Sequence, residues 1–205
     1  MQAITQAALM GYVLGCINPA MLISHLKGIN IRETSYGNPG ATNVFMNVGK
    51  LAGIFVMLFD LGKAILAVRL ANRLFPLSRL AQVMAGVCAM IGHMFPVTMK
   101  FKGGKGTACL GGTIIGLNWH LFLPMLAIAA AAFLLTGFIC TAPMAAAALF
   151  PLVYGAVSHD LYAGLLLTIS CALMLWKHRE NIRGILEGRE PTIYKNRSRH
   201  HTTRE

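Results

Sequence analysis

Apolar residues dominate the chain in long, nearly uninterrupted runs, separated by short polar stretches. Seven such runs are readable, at roughly 3–25, 51–72, 80–98, 105–119, 121–138, 141–157 and 161–177. A helix that crosses a bilayer needs about 20 apolar residues, because the hydrocarbon core is about 30 Å thick and a helix rises about 1.5 Å per residue. The pattern therefore predicts an all-α polytopic membrane protein with about seven transmembrane helices. The fourth and sixth runs are short for a span, so tilted, broken or sheltered helices are expected there and the count is six or seven. The first run has no basic segment before it and further apolar runs after it, which argues against a signal peptide. Between the first two runs, residues 27–50 are polar and too many for a simple turn. After Lys177 the chain is polar and basic. No internal repeat is visible, and residues 1–205 read as one domain.

Composition strengthens this picture. The 205 residues are 56% hydrophobic and only 12% charged, about half the charge of a soluble domain. The five cysteines, Cys16, Cys88, Cys109, Cys140 and Cys171, lie far apart in apolar runs. That spacing fits neither a metal or redox pair nor a disulfide framework. The net charge of +11 lies at the ends of apolar segments, which suits anionic lipid or phosphorylated substrates better than nucleic acid. With seven spans, fourteen lysines and arginines fall on the side holding the 27–50 loop, the 99–105 loop and the tail. Arg73 and Arg79 fall on the other. The positive-inside rule then puts the basic side in the cytoplasm and the N-terminus outside. Asp60 and Lys63, three apart on one face of the second run, are expected either as a mutual ion pair or as the wall of a polar cavity.

Three stretches on the basic side are unlike lipid-facing sequence. Tyr36-Gly37-Asn38-Pro39-Gly40-Ala41-Thr42-Asn43 excludes a regular helix and offers backbone N–H groups with Asn and Thr hydrogen bonds, though turn residues alone explain it as well. Lys102-Gly103-Gly104-Lys105-Gly106-Thr107 stands directly before an apolar helix, where flexible backbone, a helix N-terminus and lysine charge suit a phosphate. It lacks the spacing of a P-loop; an ordinary positive-inside loop is the alternative, which the three glycines among the lysines weaken. His93, just before Pro96, is either a packed residue or a ligand. In Lys177-His178-Arg179-Glu180-Asn181-Ile182-Arg183, a continuing helix would put His178, Asn181 and Ile182 on one face. A solvated juxtamembrane helix is the alternative.

In this order and spacing, the three stretches resemble the acyl-phosphate:glycerol-3-phosphate acyltransferases of bacterial inner membranes, the PlsY-type enzymes. The resemblance runs from about Asn30 to Glu190 and includes Phe59-Asp60 and Lys63, Gly92-His93 with Phe95-Pro96, Phe101 through Gly106, and Gly188 with Glu190. It implies seven helices, a cytoplasmic active site, and acyl transfer from acyl phosphate to the 1-position of glycerol 3-phosphate. It implies no cofactor or metal, a soluble partner enzyme that makes the acyl phosphate, and membrane lipids as surroundings. His178, Asn181 and Lys105 are the implied catalytic residues. Ser35, Gly37, Asn38, Gly40, Thr42, Asn43, His93, Lys102, Gly103, Gly104 and Gly106 are the implied substrate-binding set.

The chain departs from the family pattern at three places. Tyr36 stands where the family has a serine, and Met46 and Gly184 stand where it has arginines. An arginine is a bidentate, permanently charged anion donor, so its loss keeps two alternatives open: an altered acceptor, or a weak or inactive relative. A small transporter is the competing class. It would show repeats and a midplane polar site, and only Asp60 and Lys63 speak for it.

Overall fold

A computed structural model of the protein describes residues 1–34 and 37–194. The chain is all-helical: α1 (Gln2–Cys16), α2 (Pro19–Leu26), α3 (Ala41–Asn47), α4 (Lys50–Leu74), α5 (Arg79–Met94), α6 (Thr107–Asn118), α7 (Phe122–Thr136), α8 (Thr141–Ser158), α9 (Leu161–Lys177) and α10 (Arg179–Leu186). Five stretches among the described residues are long and apolar enough to cross a membrane: Gln2–Leu26, Lys50–Leu74, Arg79–Met99, Thr107–Thr136 and Thr141–Ser158. The pair α9–α10, bent by 45°, makes a sixth. This is a multi-pass membrane protein, and its many outward Leu, Val and Phe side chains, such as Leu9, Leu58, Leu123 and Leu165, face lipid.

Helix α5 is the hub and packs against α1, α4, α6 and α9. Close approach is possible because the contact positions are small. Gly11 and Gly15 of α1 lie on the backbone of Ala85 and Ala89, and a methyl group at either glycine would overlap those carbonyls. In lipid, such backbone proximity supplies the dispersion contact that the hydrophobic effect does not. At the other extreme, α7 buries only Met125 and presents a lipid-facing surface.

Two expectations change. The first apolar run is broken: α1 stops at Cys16, and Asn18 caps α2 by accepting from the Met21 amide at 3.2 Å, with Pro19 at its first position. Proline has no N–H to continue α1 and is well placed at a helix start. The 36–43 stretch is not wholly irregular, because α3 begins at Ala41, with Gly40 as its N-cap.

Candidate active site

The first polar stretch is shaped by Asn43, which is 2% exposed on α3. Its amide N–H groups reach the carbonyls of Ile31 (3.0 Å), Thr34 (2.9 Å) and Asn38 (2.9 Å), and its oxygen accepts from the Thr34 hydroxyl at 2.8 Å. An asparagine so occupied is a scaffold for the loop. Asn18 ties the same loop to α2 by donating to the Pro39 carbonyl at 3.2 Å. Gly37, at φ +65° with the Arg32 carbonyl 2.9 Å from where a Cβ would stand, turns the chain toward the second loop.

That second loop folds back on the end of α5. The Gly103 amide donates to the Met94 carbonyl and the Gly104 amide to the His93 carbonyl, both at 3.1 Å. A side chain at Gly104 would collide with the His93 ring. These two glycines thus serve close packing, and their N–H groups are engaged inside the loop. Lys100 and Phe101 adopt left-handed backbone (φ 52° and 59°), uncommon for side-chain-bearing residues. Arg32 pins the turn by donating to the carbonyls of Met99 (3.3 Å) and Lys102 (3.4 Å). Lys105 follows, and its ammonium donates to the Asn181 side-chain oxygen. Asn181 in turn donates to Glu190 at 2.7 Å. Burial disfavours the Lys105 ammonium and holds its pKa below the ordinary lysine value, with the Glu190 carboxylate opposing that shift.

Beneath the loop lies a buried ionic cluster. Lys63 approaches Asp60 at 2.7 Å, His93 Nδ1 at 3.1 Å and the Ile17 carbonyl at 2.6 Å. The last contact satisfies a carbonyl freed by the α1–α2 break. Asp60, Lys63 and His93 are at most 5% exposed and do not line the cavity described below; Asp60 and Lys63 form the expected ion pair, with His93 buried beside them. The ligand atoms of Asp60, His93 and Cys109 lie within 4.8 Å of one another, but the Lys63 ammonium already supplies the positive charge between Asp60 and His93.

The third stretch turns a corner. The chain bends by 45° at His178, and beyond it the Ile182 amide still bonds the His178 carbonyl at 3.0 Å; His178 and Asn181 are buried, whereas Ile182 is 38% exposed. His178 Nδ1 donates to the Met174 carbonyl at 2.9 Å, which leaves Nε2 as an acceptor in the neutral ring.

The three stretches meet at one cavity of about 380 Å³. Gly37 and Asn38 border it from the first, Lys102, Gly103 and Lys105 from the second, and Lys177, Arg179 and Glu180 from the third. Asn181 reaches it through Lys105. Gly40, Thr42, Asn43, His93, Gly104, Gly106 and His178 are not on its wall. Ser35, with Tyr36, lies outside the described residues. Met46 is 66% exposed on α3, and Gly184 is buried on α10. Of the further wall residues, Phe95 and Lys177 belong to the second and third motifs, whereas Trp176 lies outside them, as does Arg32, the pin. The juxtaposition of Phe95 with Trp176, ring centroids 6.2 Å apart, depends on α5–α9 packing and left no local signal.

The sequence model described as glycerol-3-phosphate acyltransferase matches residues 5–188. A glycerol-3-phosphate acyltransferase of Synechococcus sp. (strain CC9902) is 39% identical over 186 residues, covering 90% of this chain and 92% of that one. One from Bacillus velezensis is 37% identical over 187 residues, covering 90% and 95%. The crystal structure of PlsY (YgiH), an integral membrane glycerol 3-phosphate acyltransferase, in its glycerol 3-phosphate form superposes with a TM-score of 0.85 at 30% identity, covering 94% of this chain and 96% of that one.

Proposed function

The chain belongs to the glycerol-3-phosphate acyltransferase family, and we propose that it transfers an acyl chain from acyl phosphate to the 1-hydroxyl of glycerol 3-phosphate. The products are lysophosphatidic acid and inorganic phosphate. The observation that carries this reading is the convergence of Lys102, Lys105, Lys177 and Arg179 on one cavity, against Glu180 as its acidic wall residue. Such a wall suits two phosphates.

The chemistry asks for positioning and charge. Acyl phosphate is a mixed anhydride with a good leaving group, so the protein must neutralise the phosphates and hold the hydroxyl oxygen against the acyl carbon. The C–O bond to the acyl carbon forms, the bond from that carbon to the phosphate oxygen breaks, and the hydroxyl proton leaves with phosphate or through an acceptor. Lys105 holds phosphate charge, Asn181 and Glu190 aim it, and Asn38 bonds substrate oxygen. His178, between the wall residues Lys177 and Arg179, positions the acceptor. Asn43, Gly40, Thr42, Gly104, Gly106 and His93 serve binding indirectly, through the shape of the two loops, and Ser35 belongs to the first.

In this reading the chain works as one domain with seven crossings, α6 and α7 counting as separate short spans. Its N-terminus is outside and its cavity faces the cytoplasm of a bacterial inner membrane, where a soluble enzyme delivers acyl phosphate. Among the described residues, Lys27, Arg32, Lys50, Lys100, Lys102, Lys105, Lys177, Arg179, Arg183 and Arg189 fall on the cavity side and support that orientation. Purified protein in lipid should form lysophosphatidate from glycerol 3-phosphate with acyl phosphate, and not with acyl thioesters. Equal rates with a thioester would reject the donor assignment.

A further inference from the structure

We propose that Lys177 holds the phosphate of the acyl donor at the aromatic end of the cavity, while Lys105 serves the water-soluble acceptor; this rests on the acyl-transfer reading above. The two ammonium groups differ in their surroundings. Lys105 is tied to the Asn181–Glu190 chain, so a carboxylate one residue away offsets its charge. Lys177 is held by carbonyls instead: Gly103 at 3.0 Å and Met94 at 3.4 Å. Among the described residues no carboxylate lies within ion-pair distance of it. Two of its three N–H donors are thus used to fix the side chain, and the third is left for an anion. Arg179, the nearest alternative, lies 4.0 Å over the Trp176 ring and 3.8 Å from Glu180, so its charge is already shared.

Aromatic surface decides which anion. The Lys177 ammonium is 5.2 Å from the centre of the Phe95 ring, and Phe95 packs against Trp176. Both rings line the cavity with Lys177. Lys177 is also the last residue of α9, a helix with long apolar side chains facing lipid. A ligand with an anionic head and an apolar tail gains from every part of this arrangement. Glycerol 3-phosphate, with no apolar tail, gains only from the charge.

The test is steady-state kinetics of the full chain with hexadecanoyl phosphate and glycerol 3-phosphate. Lys177→Met should raise the KM for hexadecanoyl phosphate at least about tenfold, equivalent to about 1.4 kcal/mol, and shift that for glycerol 3-phosphate less than about twofold. Lys177→Arg should recover most of the lost affinity. An unchanged donor KM, or a rise that falls on glycerol 3-phosphate, overturns the assignment. A second measurement needs only the wild-type protein: hexadecylphosphonate should protect Lys177 from acetic anhydride, read by mass spectrometry, and glycerol 3-phosphate alone should not. Equal labelling with and without the phosphonate also overturns it. Wild-type protein that binds the phosphonate at Lys177 but makes no product would count against the acyl-transfer reading alone.

Discussion

Lys105 is the side chain on which both the electrostatics and the geometry of the cavity turn. Replacing it with Met removes a charge-assisted donor from a half-buried site, and kcat/KM should fall by about 2–5 kcal/mol in transition-state terms. Its lowered pKa adds a pH signature. Phosphate binds the ammonium form better, so binding is full below the pKa of the free protein and is lost as pH rises through it. At saturating acyl donor, the alkaline fall of kcat/KM for glycerol 3-phosphate should therefore come at lower pH than an ordinary lysine gives, and Lys105→Arg should move it upward. Asn43 carries the opposite lesson. Its residue type and position suggest a substrate contact, but its hydrogen bonds go to the loop. Asn43→Ala leaves carbonyls of Ile31, Thr34 and Asn38 without that donor and should cost about 1–3 kcal/mol of stability, read as a lower unfolding midpoint in detergent.

At the scale of elements, the break between α1 and α2 and the cluster beneath the glycine loop form one unit. Lys63 bonds the Ile17 carbonyl at the break and His93 under the loop. Removing one partner leaves a buried charge uncompensated, so Asp60→Asn or Lys63→Met should each destabilise by about 3–5 kcal/mol, and the double change by less than the sum of the two. Thermal unfolding of the three variants measures this. Additive losses would mean the pair is not coupled. Gly104→Ala should impair activity more than stability, because the added methyl meets the His93 ring and displaces the loop that carries Lys105. Much of this level was readable: α4, α5, α8 and α9 fall on the apolar runs read from the sequence. The break was not, because residues on both sides of Asn18-Pro19 are equally apolar and hydropathy does not register a missing N–H. Helix α3 was hidden for a related reason: its helical turns begin inside a stretch dominated by turn residues, and its apolar anchor Val44 finds its partners, Ala20, Ile31 and Val56, only in the folded chain.

For the whole molecule, membrane class and the grouping of three polar stretches followed from the linear pattern, since each basic stretch ends an apolar run of the right parity. The shared cavity wall did not, because it depends on Arg32 crossing to the second loop and on the bend at His178. Orientation makes a direct prediction. In a background without the five native cysteines, Lys50→Cys should be shielded from an impermeant maleimide added to intact cells, whereas Arg73→Cys should react. The reverse would invert the topology. The proposed reaction is acyl transfer at the three-loop cavity. It is tested most directly by mixing purified wild-type protein with acyl phosphate and glycerol 3-phosphate and measuring both products. Equimolar lysophosphatidate and inorganic phosphate should form, dependent on both substrates and largely lost in Lys105→Met. Phosphate release without lysophosphatidate, or undiminished product from Lys105→Met, would contradict it.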